Sequence, residues 1–312
     1  MNGMGTGRGR NTTRLPGLAF AVLALLTPAN AGASAQTSPP VTEAQLQNET
    51  DVLYGRAAID DGEAELRLDI YQPAASCTSP RPFVLMIHGG GFRQGSKSDA
   101  AWTELAQTVS TAGYVAISID YRLEGENPVP SEAFAALRAR FIAENPQQPP
   151  RVQDVSLINA VVSATEDAHR ALDWVQDNAA ARCIDPQRFA VWGSSAGAII
   201  GHTISYGLDD FGVATDQPLL FVDYWGRAAF PGLMAPGDPA LFIQHGTADP
   251  LVAFSYAEAL ESEAMAAGLD YEFHPVDGAG HGFAHNGVFP PDGSTPSRLS
   301  VTMDFLERHL PL

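Results

Sequence analysis

From about residue 51 onward, short apolar runs alternate with longer amphipathic stretches, and this alternation restricts the chain to a sheet covered by helices rather than a sandwich or a bundle. Strands are expected at 51–57, 65–72, 83–88, 114–121, 188–193, 219–225, 240–245 and 271–276. Several of these runs are apolar throughout, as strands buried on both faces of a parallel sheet are. Helices are expected at 99–112, 163–180, 196–207, 252–267 and 296–309, on both faces of a mostly parallel, eight-stranded α/β sheet. After Asp120-Tyr121-Arg122 the rhythm breaks. A proline-rich insertion, about 123–160, carries one short helix near 131–144 and is expected to form a lid, because loops at the C-terminal ends of parallel strands surround the ligand crevice.

The ends of the apolar runs carry the chemistry. Gly193-Ser194-Ser195-Ala196-Gly197 joins the run 188–193 to the helix-like 196–207, a strand–turn–helix that lifts the Ser195 hydroxyl above the sheet at a helix N-terminus. His88-Gly89-Gly90-Gly91-Phe92 follows the run 83–88, and consecutive glycines let backbone N–H groups approach a substrate oxygen that a Cβ would obstruct. Gly90 and Gly91, with Ala196, are therefore the expected donors of an oxyanion hole. The run 240–245 ends in His245-Gly246-Thr247-Ala248-Asp249, and the run 271–276 ends in Asp277-Gly278-Ala279-Gly280-His281. Nucleophile, acid and base then follow in the order Ser195, Asp249, His281. Asp223 also ends a run and is the rival acid. Phe92, Ser194, Tyr224 and Trp225 are the expected substrate-binding side chains; His88 is expected to brace the glycine loop, His245 to precede a turn and His285 to lie on the surface. No His, Cys, Asp or Glu cluster has ligand spacing, so neither a metal nor another cofactor is expected.

This order of motifs resembles the α/β-hydrolase superfamily, and within it the carboxylesterases and hormone-sensitive-lipase-like esterases. The resemblance runs from about residue 51 to the C-terminus. It implies an acyl-enzyme mechanism through Ser195, His281 and Asp249, and a glycine-loop strand lying beside the nucleophile strand. Ser194 stands where hormone-sensitive-lipase-like esterases often carry an acid, and the room for a long N-terminal helical cap is missing. Feruloyl-esterase-like, acetyl-xylan and polyester-hydrolase-like branches therefore stay open, as do a serine peptidase and an inactive binding module on the same fold. Short acyl chains are the expected preference.

The chain should also be exported. Arg8, Arg10 and Arg14 precede an apolar run over 15–26, followed by small residues up to Ala35, the layout of a secretory signal peptide over 1–35, with a linker over 36–50. The apolar run is far shorter than the roughly 20 residues that span a bilayer, so no membrane span should remain after the leader is removed. In an oxidising compartment the two cysteines, Cys77 and Cys183, can pair. Each lies shortly before a strand that ends in a motif, so a disulfide follows if those strands are parallel neighbours, as the resemblance implies. Lys+Arg 18 against Asp+Glu 36 gives a net charge of −18, which excludes a protein that wraps nucleic acid or coats anionic membranes. A small or polymer-linked neutral ester fits that charge better than an acidic polymer. Oligomeric state is not legible.

Overall fold

A computed structural model describes residues 46–144, 155–287 and 297–312. The expected leader over 1–35 lies outside them, and the expected linker of 36–50 is corrected at its C-terminal end, because the first strand already begins at Leu46. Residues 46–49 pair with the end of the second strand, Leu46 opposite Pro73 and Glu49 opposite Ile70, followed by register shifts after Glu49 and after Leu53 that the alternation starting at residue 51 did not reveal.

The strands are β1 (Leu46–Ile59), β2 (Gly62–Pro73), β3 (Arg81–Ile87), β4 (Val115–Ile119), β5 (Ile184–Ser194), β6 (Leu220–Tyr224), β7 (Ala240–Gly246) and β8 (Tyr271–Val276). They form one eight-stranded sheet in the order β1-β2-β4-β3-β5-β6-β7-β8. The β2 strand is antiparallel to β1 and β4, and every pair from β4 to β8 is parallel. All eight expected strands are present.

The helices are α1 (Ala100–Thr111), α2 (Ala135–Glu144), α3 (Val155–Arg182), α4 (Ala196–Tyr206), α5 (Ser255–Ala267) and α6 (Arg298–His309). Alternate residues of each central strand feed two cores. Phe83, Leu85, Ile87, Phe189 and Val191 face α3, α4 and α5, whereas Val84, Met86, Ala190 and Trp192 face α1 and α6. Because both faces are covered, these strands must be apolar at consecutive positions rather than alternating.

The insertion departs from its expected form. α3 begins at Val155, inside the stretch assigned to the lid, because Ile158, Ala160, Val161 and Val162 are buried against the domain. Phe134, Leu137 and Phe141 join the same core, and the Phe141 and Phe230 rings lie 4.4 Å apart. Arg122 fastens the start of the insertion: its guanidinium donates to Asp167 at 2.8 and 3.0 Å and to the carbonyls of Ala58 (2.8 Å) and Val129 (3.0 Å). The described part of the insertion is thus packed into the body of the domain, and 145–154 lie outside the described residues.

At the opposite end of the sheet Cys77 and Cys183 form a disulfide with Cα atoms 5.7 Å apart. Adjacent pairing of β3 with β5 brings them together, since Arg81 is opposite Ile184 and its N–H donates to the Cys183 carbonyl at 2.8 Å.

Candidate active site

Parallel strands release their loops at one edge of the sheet, and the glycine loop after β3, Ser195 after β5, Asp249 after β7 and His281 after β8 all lie at that edge. Ser195 occupies a sharp turn with φ 52° and ψ −115°, a conformation that a non-glycine residue adopts only when its surroundings enforce it. The enforcement comes from two glycines and one hydrogen bond. A Cβ at Gly193 would sit 2.3 Å from the Gly197 carbonyl oxygen, and one at Gly197 would sit 2.0 Å from that of Ile87. The Ser195 N–H donates to the Tyr224 carbonyl at 2.9 Å, fixing the turn to β6.

His281 Nε2 lies 2.9 Å from Ser195 Oγ and its Nδ1 lies 2.7 Å from Asp249 Oδ2. Asp249 Oδ1 accepts the N–H groups of Leu251 (2.8 Å) and Val252 (2.9 Å). Burial alone would raise the Asp249 carboxyl, but these donors and His281 outweigh it and hold the group below its ordinary value. The carboxylate is therefore ionised beside the imidazole. Asp223, the rival acid, is fully buried and accepts from the Gly226 N–H at 2.7 Å; among the described residues its other oxygen has no partner. Burial pushes it up to about 7, so it fits a neutral acid better than an ion that orients a histidine.

The glycine loop is held from beneath. His88 Nδ1 donates to the Gly89 carbonyl at 2.7 Å, and the Tyr121 hydroxyl donates to the carbonyls of His88 (2.9 Å) and Gly89 (3.2 Å). The His88 and Tyr121 rings stack at 4.3 Å. Burial holds His88 below its usual value, so the brace is uncharged. Gly90 and Gly91 have φ of +114° and +63°. A Cβ at Gly89 would lie 3.2 Å from the Ser195 Cβ, which puts the loop directly against Ser195. Ala196 opens α4, so its N–H is one of the helix-terminal donors without an intrahelical acceptor.

Of the expected substrate-binding residues, Ser194 and Trp225 line a cavity of about 480 Å³ together with Gly89, Gly90, Asp99 and Trp102. Phe92 and Tyr224 do not. Phe92 is 5% exposed and packs towards Tyr121, and Tyr224 is 1% exposed with its hydroxyl 2.8 Å from Thr302 Oγ1. Phe92, in the loop after β3, and Tyr224, the last residue of β6, turn their side chains into the two cores, which motif position alone does not disclose. His285 is half-buried, and burial depresses it. His245 is completely buried beside Asp249. Sequence reading assigned no part to Tyr121 or to Lys97, whose buried ammonium lies 2.9 Å from Asp51 and 3.1 Å from Asp69, because these contacts join residues far apart in the chain.

A family model described as BD-FAE matches residues 68–148, and one described as alpha/beta hydrolase fold matches residues 159–222. Over 104 residues the chain is 35% identical to the non-reducing polyketide synthase adrD of Penicillium roqueforti, covering 33% of this chain and 4% of that protein. It is 27% identical over 176 residues to the carboxylesterase NlhH of Mycobacterium tuberculosis, covering 56% of this chain and 44% of that one. The chain thus spans less than half the length of these curated relatives. Among solved structures, the thermophilic esterase Est2 of Thermogutta terrifontis superposes with a TM-score of 0.60 at 21% identity, covering 86% of this chain and 94% of that one. A truncated carbohydrate esterase from gut microbiota gives 0.59 at 18% identity, covering 88% and 100%.

Proposed function

We propose, from a chain that has the α/β-hydrolase fold, that it is a serine hydrolase of carboxylic esters working through an acyl-enzyme. One observation carries the reading: a single imidazole bridges Ser195 Oγ and Asp249 Oδ2 at 2.9 and 2.7 Å, beside a glycine loop. His281 takes the Ser195 proton as Ser195 attacks the ester carbonyl, and Asp249 stabilises the imidazolium that forms. The N–H groups of Gly90, Gly91 and Ala196 receive the developing oxyanion; removal of one such donor costs about 2.7–4 kcal/mol in comparable sites. Protonated His281 then gives its proton to the leaving alcohol, and water activated by the same imidazole releases the acid.

The cavity beside Ser194 and Trp225 accommodates a small acyl or aryl group. Its one carboxylate, Asp99, disfavours substrates that carry their own negative charge. The basic, apolar and small-residue sequence of 1–35 and the disulfide support export to an oxidising compartment, and among the described residues no helix is long and apolar enough to cross a membrane.

A series of nitrophenyl esters of increasing acyl length, set beside a matching anilide, tests the activity. Short esters should turn over fastest, and Ser195→Ala should lower kcat on the order of 10⁴–10⁶-fold. Faster anilide hydrolysis would make the protein a peptidase instead. Wild-type protein that stays unlabelled by an organophosphate while folded would leave a binding module.

A further inference from the structure

His245 is a buried titratable group that the proposed mechanism does not use. It is the penultimate residue of β7, and its side chain and that of Asp249 are both fully buried. Its Nε2 lies 2.8 Å from the Val252 carbonyl oxygen and 3.3 Å from Asp249 Oδ2, the same oxygen that receives His281 Nδ1. Among the described residues its Nδ1 is buried without a partner. The Val252 carbonyl bonds Nε2 and Asp249 Oδ2 lies within ion-pair distance of it, so a neutral ring must carry its proton there; a proton on Nδ1 would leave a buried N–H unpaired and turn a lone pair towards two oxygens. Burial depresses the ring, opposed by the Val252 carbonyl and by Asp249, and His281 depresses it further, so it stays neutral. The ring packs in a T-shaped contact with Phe254, their centroids 6.0 Å apart.

We propose that His245 is a positioning residue for the reaction: its Nε2–H, shared between the Val252 carbonyl and Asp249 Oδ2, fixes the carboxylate that in turn aims His281 at Ser195. The carboxylate is then held on both oxygens, Oδ1 by the backbone of 251 and 252 and Oδ2 by two imidazoles. Val252 supplies a donor to Oδ1 and an acceptor to His245, so the turn 245–252 closes as one unit. Neutrality is part of the role. A cationic His245 would oppose the imidazolium that His281 becomes, whereas a neutral donor orients without that penalty.

This inference rests on the esterase reading for its kinetic arm only. His245→Gln keeps an N–H donor at about the reach of Nε2, and His245→Met has similar length without the donor. On a short nitrophenyl ester, the Met variant should lose about tenfold in kcat with KM unchanged, and the Gln variant should recover most of that loss. Equal kcat for wild type and both variants would overturn the role. The second arm needs no catalysis and no variant: ¹⁵N spectra of histidine-labelled wild-type protein should show His245 neutral and protonated on Nε2. An Nδ1-protonated or cationic His245 at neutral pH would overturn it. Wild-type protein without ester hydrolysis but with the Nε2–H tautomer would sink the esterase reading and leave the assignment of the donor standing.

Discussion

Asp223, near the end of β6, and Asp249, just after β7, differ by what their turns donate. Asp249 receives two backbone N–H groups and an imidazole, while Asp223 receives one N–H and keeps an oxygen buried without a partner. The same residue type is thus an ion in one turn and closer to a neutral acid in the next. A consequence for stability follows by linkage. The folded value for Asp223 is raised from 3.8 to about 7, so between those values the folded chain holds a proton that the unfolded chain has released. Its contribution is fully present below 3.8 and is lost as pH rises towards 7. Asp223→Asn, which keeps an acceptor for Gly226 and cannot ionise, should match the wild-type Tm near pH 4 and exceed it by several degrees near pH 8. Thermal melts at both pH values check this; a constant difference would show that ionisation is not the cause.

At the scale of elements, α4 sits so close to β3 that only glycine fits at 197, where a Cβ would lie 2.0 Å from the Ile87 oxygen. Gly197→Ala must push the helix from the strand that bears the glycine loop. Loss of more than about tenfold in kcat for the proposed ester hydrolysis should accompany a lower Tm, since displacing a proposed oxyanion donor costs catalysis as well as packing. The insertion depends on a different contact. Arg122 is buried against Asp167 and Glu166, and burial pushes Asp167 up to about 6 despite the guanidinium beside it. Removing one side of such a pair strands the other charge, so Arg122→Met should lower unfolding stability by about 3–5 kcal/mol in urea titrations. A loss within about 0.5 kcal/mol would show that the pair is not what fastens the insertion.

For the whole molecule, the disulfide joins positions 106 residues apart, across the insertion and α3. Replacing both cysteines by serine should cost about 2–5 kcal/mol, measured against wild type with and without reductant. Export, if it occurs as proposed, supplies the oxidising conditions that let this bond persist.

The sequence by itself laid out the strand–motif order, the side of the sheet on which the chemistry collects, and the proposed Ser195, His281 and Asp249 set. All of these follow from local pattern: continuous apolar runs force burial on both faces, and glycines mark where backbone must approach backbone. The tertiary structure decided what pattern cannot encode. It put Phe92 and Tyr224 into the cores, extended β1 back to Leu46, packed the expected lid through Phe134 and Phe141, and set His245 against Asp249. Each outcome depends on which partner a side chain meets across the fold, on the burial that partner creates and on the protonation that burial permits, none of which is a property of neighbouring residues.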